Sequence, residues 1–81
     1  MPVVLRHEGY RFFFFSTEGE SREPIHVHVR KAERVAKIWL EPQISVADSY
    51  RLKSSELRRL QDVVEANQEL IRSKWHEHFG D

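Results

Sequence analysis

The sequence predicts an α+β domain: an antiparallel sheet of four to five strands with a C-terminal amphipathic helix, or a two-helix tail, packed on one face. Up to about residue 48 apolar and polar residues alternate with the period of two that marks half-buried strands. From Ser54 the apolar residues Leu57, Leu60, Val64, Ile71, Trp75 and Phe79 recur at three- and four-residue steps, the spacing of a helix face. Strands therefore come first and helix last, an order that builds a sheet with its helical layer on one side.

Val3 to His7 is β-prone and leads through Glu8-Gly9, a candidate tight turn, into Tyr10-Arg11-Phe12-Phe13-Phe14-Phe15-Ser16, so the first two strands are expected to be antiparallel neighbours. Four consecutive phenylalanines are too short for a membrane anchor and read as a buried strand. Thr17 to Glu23 is polar and ends at Pro24, whose ring biases the preceding residue to extended geometry. This loop launches Ile25-His26-Val27-His28-Val29-Arg30. A following strand, Val35 to Leu40, pairs with it if the hairpin closes on Ala32-Glu33 or uses all of residues 31–34. Val29 then faces Ala36, Val27 faces Ile38 and Ile25 faces Leu40, while His28 opposes Lys37, His26 opposes Trp39 and Arg30 opposes Val35. A slip of one residue would set valines against Lys37. Glu41-Pro42 ends the strand, Ile44 to Asp48 is a candidate fifth strand at the edge, and Ser54 is the expected helix cap. Asn67 either kinks a single helix or caps a second one, and Gly80 is the expected stop.

At 81 residues the chain is one domain, with strands over about 3–48 and a helical region over about 54–79. Its 13 basic and 13 acidic residues cancel, so any nucleic-acid site must be a local patch and not a global field. The absence of cysteine rules out disulfides and thiolate chemistry and suits a cytoplasmic location. No apolar run reaches the ~20 residues of a membrane span, and no secretory signal opens the chain.

The histidine strand carries the candidate chemistry. Its alternation places His26, His28 and Arg30 on the face away from the helix, with Lys37 and Trp39 beside them. Cleavage of RNA by its own 2′-hydroxyl needs a base, an acid and a cation for the phosphorane charge. His26 and His28 are the candidate acid-base pair, Arg30 and Lys37 the candidate phosphate holders, and Trp39 a platform for an unpaired base. Arg11 lies on the neighbouring strand, with its facing not fixed by alternation alone. The same row also reads as the solvated or partner-covered face of a sheet, with no catalytic role. A metal reading lacks a third ligand beyond Glu41, Glu23 or His7, and Lys37 opposes a cation there, so no metal and no cofactor is assigned. His76 and His78 are about 200° apart on a helix and cannot easily share an ion. His78 is expected half-buried beside Phe79. No Gly-rich phosphate loop, helix-turn-helix or hydrolytic triad is present.

Tyr10-Arg11-Phe12-Phe13-Phe14-Phe15-Ser16, Arg22-Glu23-Pro24-Ile25-His26-Val27-His28-Val29 and Ala36-Lys37-Ile38-Trp39-Leu40-Glu41-Pro42, with the pattern from Asn67 through Trp75 to Phe79, resemble a family of small bacterial proteins of unknown function. Its members are typically encoded beside a second small protein, in an arrangement like a toxin-antitoxin pair. His26 and His28 fall on the two histidines of a family pattern Arg-Glu-Pro-Pro-His-Val-His-Val. Ile25 stands for the second proline, Ala32-Glu33-Arg34 for a glycine-rich turn and Lys53 for a serine cap. The resemblance implies a cognate small protein as partner. On residue grounds the chain fits the RNA-directed, toxin-like member, and a noncatalytic partner-binding or neutralising module is the alternative. Oligomeric state is left open.

Overall fold

Glu8 and Gly9 adopt φ of 49° and 85°, the pair of left-handed residues a type I′ hairpin turn requires. This two-residue link pairs β1 (Val3–His7) with β2 (Tyr10–Phe13), His7 opposite Tyr10 and Arg6 opposite Arg11. The computed structural model describes residues 3–15 and 23–80. Ser16, where the second strand was expected to end, and most of the polar loop before Pro24 lie outside the described residues. The sheet continues through β3 (His26–Lys31), β4 (Arg34–Trp39) and β5 (Ser45–Tyr50), every neighbouring pair antiparallel, in the order β1-β2-β3-β4-β5. The architecture is the expected α+β arrangement, with five strands and two C-terminal helices.

The β3–β4 register follows the apolar match: Val27 opposes Ile38, Val29 opposes Ala36, His28 opposes Lys37 and His26 opposes Trp39. The loop is two residues long, since Lys31 pairs with Arg34, and it holds Ala32 at a φ of 55°. A Cβ in that region costs about 1–2 kcal/mol. Ala32→Gly should therefore raise stability, by about 0.5–1 kcal/mol after the ~0.4–1 kcal/mol that glycine costs through the unfolded chain. Equilibrium denaturant unfolding checks this, and a loss of stability would show that the strain is not released by glycine.

β5 begins and ends later than the expected strand at 44–48. Ala47 is an extra residue opposite the Lys37–Ile38 step, and this bulge puts Val46 across from Ile38 while Asp48 opposes Lys37. The phase of the strand is shifted there so that its apolar residue stays on the core side. A second bulge, at Val4, turns both Val4 and Leu5 toward the core.

The helical region divides into α1 (Ser54–Ala66) and α2 (Gln68–Phe79). Asn67 is the break: its N–H reaches the carbonyls of Val63 and Val64 at 3.1 Å, and its side-chain amide donates to Val63 O at 2.8 Å. Its own carbonyl accepts from Ile71 at 3.0 Å, opening α2. An asparagine side chain that competes for a helix carbonyl interrupts the ladder, which selects two helices over one. The cap of α1 is Lys53 and not Ser54 as expected, because Glu56 reaches back to accept the Lys53 N–H at 3.1 Å. That backbone hydrogen bond, followed by the Arg34 charge and the Tyr10 hydroxyl, holds the Glu56 carboxyl below the usual carboxylate range.

Leu60 and Val64 of α1, with Ile71 and Trp75 of α2, pack on Phe12, Phe14, Val27, Val29, Ile38 and Leu40. Each of these large buried side chains contributes about 1.5–3 kcal/mol. Arg72 fastens α2 to the end of β4, donating to Glu41 Oε2 at 2.7 Å and to Leu40 O at 3.2 Å. The helices cover one face, and α2 also reaches round the start of β3, where Trp75 meets His26.

Candidate functional site

The opposite face of the sheet is a grid whose rows are set by cross-strand pairing. One row runs Arg6, Arg11, Arg30, Val35, Tyr50 from β1 to β5. The next runs Phe13, His28, Lys37, Asp48 from β2 to β5, and the third holds His26, Trp39 and Ser45. Directly paired residues point to the same side, so each row presents its side chains together.

The second row forms a concavity of about 290 Å³ lined by Phe13, Phe15, His28, Arg30, Lys37 and Asp48, with Val35 and Ser49 at its margin. His28 is half-buried in it, its ring 4.4 Å from that of Phe15 and 5.7 Å from that of Phe13, centroid to centroid. Lys37 lies with its Nζ 4.5 Å from the Trp39 ring and 2.7 Å from Glu23 Oε1. Its ammonium already has a carboxylate partner. Among the candidates, His28, Arg30 and Lys37 converge on this concavity, and Trp39 flanks it beneath Lys37.

His26 does not join them. Its side chain is 0% exposed, closed between Trp39 on β4 and Trp75 on α2 at ring separations of 5.3 Å each. Nδ1 lies 2.8 Å from the Pro24 carbonyl, the geometry of an Nδ1–H donor, and Nε2 is 3.8 Å from Glu23 Oε1. Strand alternation assigns His26 to the open face, but α2 crosses the strand ends there and covers it. An enclosed ring cannot reach a substrate proton, so the expected placement of His26 on an accessible surface is corrected. His78, expected half-buried, is exposed, although its ring still packs 4.6 Å from that of Phe79.

Two further arginines belong to this face: Arg11, whose facing alternation left open, and Arg6, which the sequence pattern did not single out. Arg6 and Arg11 are exposed and continue the line of Arg30 across three adjacent strands. Among the described residues no carboxylate pairs with Arg6, Arg11 or Arg30. The hairpin turn alone places Arg6 opposite Arg11, and that much was readable from Glu8-Gly9. No three His, Asp or Glu side chains among the described residues gather to hold a metal ion. Among the described residues no helix is long and apolar enough to cross a membrane.

These features define a small α+β domain that leaves one face of a five-stranded meander open except at its His26 corner, and loads that face with cations and aromatic rings. The chain belongs to a family described as a domain of unknown function, DUF4160, whose model matches residues 9–76. No curated protein and no solved structure matches it.

Proposed function

We propose that the chain is one component of a bacterial toxin-antitoxin-like pair, the RNA-directed member, and that it binds single-stranded RNA on the open sheet face. The observation that carries this reading is the concavity in which His28, Arg30 and Lys37 sit beside Phe13 and Phe15. Unpaired bases stack on aromatic rings and their phosphates seek arginine, a combination that needs no global positive charge. Phe15 and Tyr50 are 43% and 56% exposed, open enough to serve as platforms.

The activity proposed is binding. Acid-base cleavage by a histidine pair requires two imidazoles at one phosphodiester, and here one of the two is sealed under Trp75. Arginine does not titrate in proteins and cannot replace it.

The test is fluorescence anisotropy of untagged protein with a labelled single-stranded RNA. A stacking ring contributes about 1–3 kcal/mol per base, so Phe15→Ala should weaken binding by about tenfold or more. Binding no tighter than ~10⁻⁴ M, the weak limit of nonspecific association, would sink the reading. A second reading, a noncatalytic module covered by its cognate protein, is favoured by the exposure of Val3, Phe15 and Tyr50. Co-purification with the neighbouring gene product, without RNA binding, would select it.

A further inference from the structure

Arg6, Arg11 and Arg30 occupy directly paired positions on three neighbouring strands, all exposed and all on the face opposite the helices. Adjacent strands are about 4.8 Å apart, so three like charges stand in a line roughly 10 Å across. Like charges directly opposite in a sheet repel, and packing elsewhere must offset that cost. The chain has no excess of positive charge to spread, since its 13 basic and 13 acidic residues balance. Among the described residues, the acids on this face lie away from the arginines: Glu23 bridges to Lys37, and Asp48 stands opposite Lys37 at the far end of the second row. Arg30 is oriented by its own Nε–H, which donates to Ala32 O at 3.2 Å.

We propose that this arginine row is a track for successive phosphates of a single polyphosphodiester strand running across the β-strands, which rests on the RNA reading and gives it a direction. The aromatic row lies one two-residue step away, about 6.7 Å along the strands, and is where the bases of such a strand fall. Phosphates sit over Arg6, Arg11 and Arg30, and bases turn toward Phe15 and His28, which Phe13, itself buried, supports from behind. Lys37, the phosphate holder suggested by alternation alone, is secondary because Glu23 neutralises it. The long flexible stems of the arginines let their guanidinium groups fan out to meet phosphates of differing spacing, and each offers a planar fork suited to a phosphate oxygen pair.

Salt dependence separates this track from stacking. Each phosphate contact to a single strand adds about −0.7 to the slope of log affinity against log salt concentration, so three give roughly −2. Arg6→Gln, Arg11→Gln and Arg30→Gln should each make the slope less negative by about 0.7. Phe15→Ala should weaken binding with the slope unchanged. An abasic oligonucleotide of the same length should keep the arginine-dependent slope. Arg11→Gln, in the middle of the row, should melt at the same temperature or slightly higher, because a repulsion is removed.

If RNA binds tightly but the slope is the same in all three arginine variants, the track is overturned and the RNA reading survives. If RNA fails to bind while single-stranded DNA binds with the arginine-dependent slope, the track stands and the RNA reading falls. Failure of both probes removes both. A fall in melting temperature for Arg11→Gln would show that the row is structural and overturn the track.

Discussion

Trp75→Ala should bring the domain to the edge of unfolding. Trp75 is the ring on which three others meet: Phe14 at 5.2 Å, Phe79 at 4.5 Å and His26 at 5.3 Å, centroid to centroid. Its removal leaves a cavity that touches both the β2 end and the β3 end, and a fold held at that corner by one helix cannot close it by a small shift. Truncating a buried tryptophan costs about 3–5 kcal/mol. A chain of 81 residues has a total stability of roughly 4–12 kcal/mol at ~0.05–0.15 kcal/mol per residue. At ~4–8 °C per kcal/mol for a domain of this size, the melting temperature should drop by roughly 15–30 °C. Thermal unfolding followed by circular dichroism reads the change. A drop of only a few degrees would mean that α2 is not fastened to the sheet through this ring.

The same corner explains which parts of the fold were legible in the sequence. Alternation in residues 25–30 and 35–40 was enough to set the β3–β4 register, because only one pairing matches apolar to apolar along its whole length. Helical spacing was enough to find the apolar stripe of Leu60, Val64, Ile71 and Trp75. Neither pattern says what lies over the end of a strand. His26 has the same parity as His28, and parity fixes a face only where the layers are regular. At the start of β3 the second helix passes over the strand ends, and the nominal solvent face becomes interior. The distinction between two chemically identical histidines two residues apart is thus tertiary.

The arginine row was partly hidden for a different reason. A two-residue turn fixes its hairpin, so Arg6 opposite Arg11 follows from Glu8-Gly9. Arg11 opposite Arg30 depends on how β2 meets β3, and the long connection between them sets no register. Similarly, the extra residue at Ala47 could not be placed by alternation, since a bulge is a break in the pattern that alternation reads. Position on the open face came from the sequence where local geometry determined it, and was lost where a long loop, a bulge or a covering helix intervened.

His26→Ala and His28→Ala should separate cleanly, although the two substitutions are identical. His28 lines the concavity, so its loss should reduce RNA affinity and leave the fold near native. His26 is enclosed, and its loss opens a cavity between Trp39 and Trp75 and deprives the Pro24 carbonyl of its 2.8 Å partner. Losing a hydrogen bond to this part-buried carbonyl costs about 0.5–1.5 kcal/mol, and the cavity left by the enclosed ring adds the larger share. The total of roughly 2–4 kcal/mol should appear as a melting temperature lower by ~10–25 °C. His26→Asn is the control: its side-chain amide can donate to the same carbonyl, so it should recover part of the loss that alanine causes, whereas a proton-transfer role would not be recovered by an amide. If His26→Ala instead melted like the native chain while abolishing activity on RNA, the ring would have to reach the substrate, and its enclosure under Trp75 could not be the working state.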